Sequence, residues 1–186
     1  MLISAIQAGD LARVQTLLAS ENVQPDGPYG NTPLEVALET ENLDMVVALL
    51  EHGASTTHFV YNATMYPVPI AKALLDHTTL DPKTGFWLLW GTIQEKQLEH
   101  FKLILTYNLD LDFADEWGQH HLPHVACFGN LEMVRLFLEA GAHPDTFDQT
   151  AKKFATEKGF TEILNLIETY RTLPDTKGVI HPTDDV

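Results

Sequence analysis

Gly30-Asn31-Thr32-Pro33-Leu34-Glu35-Val36-Ala37, continuing through Asn42-Leu43-Asp44-Met45-Val46 to Leu49-Leu50-Glu51-His52-Gly53-Ala54, decides the fold because the chain repeats it. At a constant offset of 88 residues come Gly118-Gln119-His120-His121-Leu122-Pro123-His124-Val125, then Asn130-Leu131-Glu132-Met133-Val134, then Phe137-Leu138-Glu139-Ala140-Gly141-Ala142. A third copy lies between them: Gly85, Leu89, Leu98 and Leu105 match Gly118, Leu122, Leu131 and Leu138 at an offset of 33. A fourth arrives three residues early, with Thr150-Ala151 answering Thr32-Pro33 and Gly159-Phe160-Thr161-Glu162-Ile163 answering Gly129 to Met133. Ala8-Gly9-Asp10-Leu11-Ala12-Arg13-Val14, followed by Leu17-Leu18, repeats the second half of the unit. Repetition at such a period is the mark of stacked supersecondary units.

Each unit has the physics of a helix pair. Thr32 is placed to cap a helix start, Glu35 three positions on completes a capping box, and Pro33 suits the first turn. Leu34, Ala37 and Leu38 share one face, and after a turn Leu43, Val46, Val47 and Leu50 recur at helical spacing. Gly53 stands where a left-handed residue ends a helix. One such pair leaves an apolar face uncovered, so neighbouring pairs must stack.

The period, the Gly-x-Thr-Pro-Leu start at 30–34, Gly-Asn-Leu-Glu-Met-Val at 129–134 and Leu-Glu-x-Gly-Ala at 138–142 resemble the ankyrin-repeat family. Tetratricopeptide repeats share a similar period but lack the Thr-Pro-Leu start and Gly-Ala end. The resemblance implies an all-α ankyrin-repeat solenoid of about four to five helix-pair units over residues 1–172, with short finger loops and a half-unit N-terminal cap. Residues 56–81 break the register. Tyr66 to Leu75 reads as a short helix with Pro67-Val68 where Pro33-Leu34 stood, so 56–81 is either an insertion with one short helix or a collapsed repeat. Residues 173–186 form an acidic tail expected to be flexible.

The chain has 186 residues, 45% of them hydrophobic, which fits one continuous core. The single cysteine, Cys127, excludes an internal disulfide and favours a cytoplasmic setting. The N-terminal residues lack a basic leader pattern, and no apolar run approaches the ~20 residues of a membrane span. Net charge is −15, and residues 1–71 hold eight acidic residues against one basic residue, Arg13. Such a field repels nucleic acid and anionic lipid and attracts a basic protein.

Candidate chemistry is sparse. His121-x-x-His124-x-x-Cys127, preceded by His120, brings zinc-ligand types along one helical side, but zinc wants about four ligands. The repeat register assigns His120 to a cap and His121 to the proline position, so ordinary structural roles outweigh a metal. No third group orients a Cys–His pair, and Gly27-Pro28-Tyr29-Gly30 is a turn, not a phosphate loop. The chain is therefore expected to be non-enzymatic, with no cofactor. Trp87 and Trp90 are expected to be buried. Trp117 directly precedes the repeat glycine, at the equivalent of Tyr29.

The ankyrin resemblance implies a variable binding surface on the fingers and first helices. Its equivalent positions here are Tyr29, Asn31, Glu39 and Thr40; Thr84, Phe86, Gln94 and Glu95; Glu116, Trp117, Gln119, Cys127 and Phe128; and Phe147, Gln149, Glu157 and Lys158. Aromatic side chains ringed by polar ones have the make-up of protein-binding hot spots. The expected function is binding of another protein, a basic one, by a chain that is monomeric when free. The favoured form is an acidic blocker, an inhibitor or immunity-type protein. An adaptor that recruits a target is the alternative, and a zinc-dependent activity at His120–Cys127 is the rival class.

Overall fold

Where Thr32 meets Pro33 the expected capping box forms. The Thr32 hydroxyl accepts the Glu35 N–H at 3.0 Å, and the Glu35 carboxylate accepts the Thr32 N–H at 3.3 Å. In the computed structural model, which describes residues 1–20, 23, 32–144 and 150–172, this cap starts a helix that recurs down the chain. The helices are α1 (Leu2–Gln7), α2 (Leu11–Leu18), α3 (Pro33–Glu39), α4 (Leu43–Glu51), α5 (Val68–Asp76), α6 (Pro82–Gln94), α7 (Leu98–Leu105), α8 (His121–Phe128), α9 (Leu131–Glu139), α10 (Thr150–Lys158) and α11 (Thr161–Thr172). A 3-10 turn, Val60–Met65, precedes α5. No strand occurs among the described residues.

The second helices start alike: Asn42 and Asn130 each accept an N–H three residues on, from Met45 and Met133, at 3.2 and 3.1 Å. Asp10 does the same for α2 through the Arg13 N–H. These side chains satisfy amide donors that a helix start leaves open.

The chain falls into two compact units, Met1–Thr92 and Ile93–Val186. In the first, α1 packs on α3 and α2 on α4, so first helices stack on first helices and second on second. In the second, α8 stacks on α10, while α7, α9 and α11 stack in order. Met45, Val46 and Leu49 form the core of α4, and Phe101 and Phe137 that of α7 and α9; all are fully buried. The Phe101 and Phe137 rings lie 6.0 Å apart, and the buried His121 ring meets Phe137 edge-on at 6.0 Å.

Two expectations change. The N-terminal copy is a whole helix pair, not a half unit. Its first helix is six residues long with no side-chain cap, and Leu2, Ala5 and Ile6 bury its one apolar stripe. Too short to carry the repeat's signature, it is held by packing on α2 and α3.

Segment 56–81 also becomes concrete. The 3-10 turn buries Val60 and Ala63, and α5 packs on it and on α4. Pro67 is the cap residue of α5, with Pro69 inside its first turn, so Pro69 takes the role that the register gave Pro67. The Thr78 hydroxyl, 2.7 Å from that of Thr56, ties the segment's ends together. The tail 173–186, expected to be flexible, lies outside the described residues.

Candidate functional site

The best-defined candidate is the loop leading into α8. Asp115 organises it. Its Oδ1 accepts the Trp117 N–H at 2.9 Å and the Gln119 N–H at 2.7 Å. The Asp115 carbonyl takes the Gly118 N–H, and the Asp115 N–H donates to the Gln119 carbonyl, each at 3.0 Å. Gly118 has φ of 73°, a conformation glycine adopts without penalty. The result is a closed tip that fixes its own backbone and presents Trp117 with 67% of its surface exposed. Glu116 and Gln119 beside it are exposed too.

A second bond ties this loop to the next. The Asp112 carboxylate accepts the His143 N–H at 2.9 and 3.3 Å through its two oxygens. His120, at the base of the tip, is buried. Burial pulls its pKa below the ordinary histidine value, opposed by a hydrogen bond with the Asp112 backbone and by the charges of Asp112, Asp115 and Asp110. His124 is likewise held low by burial, opposed by Asp115. At the far end of α8, Phe128 is 40% exposed and Cys127 half-buried.

The other expected binding positions divide. Glu39, Thr40, Gln94, Glu95, Glu157 and Lys158 are exposed. Tyr29, Asn31, Phe147 and Gln149 lie outside the described residues. Phe86 and Thr84 are corrections, since both are 3% exposed. The repeat offset of 33 would start the helix level with His121, near Leu88, yet α6 begins at Pro82. Both residues therefore fall inside a helix, not on a finger. Phe86 instead stacks on Trp90 at 6.2 Å and meets Trp87 edge-on at 5.4 Å. Trp87 and Trp90, expected to be buried, are half-buried.

The weak zinc candidates His121, His124 and Cys127 lie on α8. His121 is buried against Phe137, and no group of three His, Cys, Asp or Glu residues is placed to hold a metal among the described residues. Tyr61 and Met65, 50% and 78% exposed on the 3-10 turn, were not singled out by the sequence. Their signal was apolar side chains inside a stretch that breaks the repeat register.

The ankyrin-repeat family model matches residues 29–59 and 124–149. Over 171 residues the chain is 28% identical to ankyrin repeat protein nuc-2 of Neurospora crassa, covering 89% of this chain and 14% of that protein. Over 152 residues it is 28% identical to potassium channel AKT2/3 of Arabidopsis thaliana, covering 76% and 19%. The chain thus spans less than a fifth of either relative.

Solved structures give the same fold. EF0377, an ankyrin repeat protein, matches with TM-score 0.69 at 24% identity, covering 91% of this chain and 96% of that one. An ankyrin repeat domain from Acinetobacter baumannii AYE matches at 0.70 and 20%, with the same coverage. The ankyrin repeat domain of Bcl-3, a member of the IkappaB protein family, matches at 0.66 and 22%, covering 91% and 85%. With the ankyrin repeat matched twice in the sequence and stacked helix pairs in each unit, this chain has the ankyrin-repeat fold.

Proposed function

We propose that this chain is a non-enzymatic protein-binding module that holds a basic partner and works by occupying it, as an inhibitor or immunity-type protein does. The observation that carries the reading is Trp117, a large aromatic held in solvent on a tip whose backbone is already fixed by Asp115. A pre-ordered aromatic loses little freedom on binding, and tryptophan is enriched among the residues that dominate protein interfaces. Ankyrin repeats serve as protein-interaction modules, which supports the general class. The net charge of −15 supports the basic partner, and the lone cysteine supports a cytoplasmic setting.

The test is capture of the partner from native lysate, its identification, and comparison of wild type with Trp117→Ala. The expected result is at least about tenfold weaker binding with an unchanged melting temperature, the size of a typical hot-spot loss. Unaltered capture with a large fall in melting temperature would assign Trp117 to the fold instead.

A further inference from the structure

The 3-10 turn Val60–Met65 stands directly before α5, as the Asp115–Gln119 tip stands before α8. Its side chains sort sharply. Val60 and Ala63 are buried at 5% and 0%, anchoring the turn, while Tyr61 and Met65 stand out. Tyr61 is tethered as well, its hydroxyl 3.1 Å from that of Thr84. Thr84 in turn hydrogen-bonds Asp81, the residue before α6, at 2.6 Å. Met65 is flexible and polarizable, suited to moulding around an apolar group.

Tyr66 closes the turn, half-buried. Its phenol is pushed up first by burial and then by the charges of Glu35 and Glu39, two α3 carboxylates whose field reaches it. Glu39, the last residue of α3, is exposed. The described cations of this unit are few: Arg13, Lys72 and Lys83, with Lys72 held by Asp76 at 2.5 Å. The place thus combines an exposed apolar pair with negative charge that has little counter-charge of its own.

We propose that the turn Val60–Met65, with Tyr61 and Met65 as its contact and the Glu39 carboxylate that ends α3 as its charge, is a docking site for a basic protein segment carrying an apolar side chain. The proposal rests on the protein-binding reading and deepens it, giving the N-terminal unit a contact of its own. The apolar group would settle on Met65 and Tyr61, while a neighbouring Lys or Arg side chain meets Glu39. The apolar contact sets residence time and the charges set encounter rate.

The test selects binders from a random dodecapeptide library on the full chain and measures them by fluorescence anisotropy. Among the selected peptides, the proposal expects a class in which Lys or Arg flanks an aliphatic or aromatic residue. Met65→Glu should weaken that class at least tenfold with an unchanged melting temperature, because Met65 is 78% exposed. Glu39→Gln should weaken it severalfold and flatten its salt dependence. The proposal is overturned if no selected peptide depends on Met65, or if those that do show no basic bias. Peptides that depend on Trp117 and not on Met65 would overturn it while leaving the protein-binding function standing. A set that depends on neither residue would remove both.

Discussion

Gly129 ends α8 at φ of 74°, and a Cβ placed there would lie 2.7 and 2.8 Å from two ring atoms of Phe160. Gly53 ends α4 in a similar backbone, φ 85°, with nothing within 4 Å of its Cβ position. The two glycines separate backbone strain from packing. Gly53→Ala should cost about 1–2 kcal/mol, the penalty of a left-handed conformation for an L-residue. Gly129→Ala should cost more, since the Phe160 ring must also move. Urea unfolding of both variants measures the difference, and Phe160→Leu should recover part of the Gly129→Ala loss and none of the Gly53→Ala loss. Equal costs would show that the ring yields freely. The glycine at 53 was legible in the sequence because chirality acts locally. The ring above Gly129 was not, because it belongs to the next unit of the stack.

Helix starts show the same division between local and distant causes. The α3 start is wholly local, Thr32 and Glu35 satisfying each other, and it was read from their spacing. Thr32→Ala should therefore destabilise by about 1 kcal/mol in chemical denaturation. The α8 start puts histidines where α3 has Thr-Pro, and no side chain caps it. His120 is instead buried under the loop that carries Asp112 and Asp115. Its folded pKa lies below the ordinary histidine value of about 6.5, so as pH falls through about 6.5 the unfolded chain takes up a proton first. Stability is complete above that pH and declines until the folded pKa is reached. His124 adds to the decline, its pKa being lowered for the same reason. Urea midpoints between pH 8 and 5 should fall on the acid side, and His120→Gln should flatten the profile whatever it does to absolute stability. An unchanged slope would refute the assignment. The displaced Phe86 and the unread α1 have related causes. A helix begun early at Pro82 shifts every register-based assignment, and six residues carry too little pattern to announce a helix.

Across the whole molecule, the repeat was legible because each unit restates its caps and apolar stripe, whereas the proposed binding surface was only partly so. Trp117 kept its expected exposure because the Asp115 turn is local. Tyr61 and Met65 went unread because burial of Val60 and Ala63 shapes their turn. Charge is the property that no single unit carries. A net −15 on 186 residues repels itself and favours expansion. Against it stand exposed ion pairs such as Lys72–Asp76 and Lys102–Glu99, each worth about 0.3–0.5 kcal/mol at helical spacing. The repulsion should win. Raising ionic strength from about 0.01 M to about 0.15 M shortens the screening length from about 30 Å to about 8 Å, so the urea midpoint of the free protein should rise. Over the same range, association with a basic partner should slow, because the same field that strains the free chain steers the encounter. Measured together by urea unfolding and stopped-flow binding, the two responses should have opposite signs. A midpoint that falls with salt would make the ion pairs dominant, and an association rate indifferent to salt would remove the argument for a basic partner.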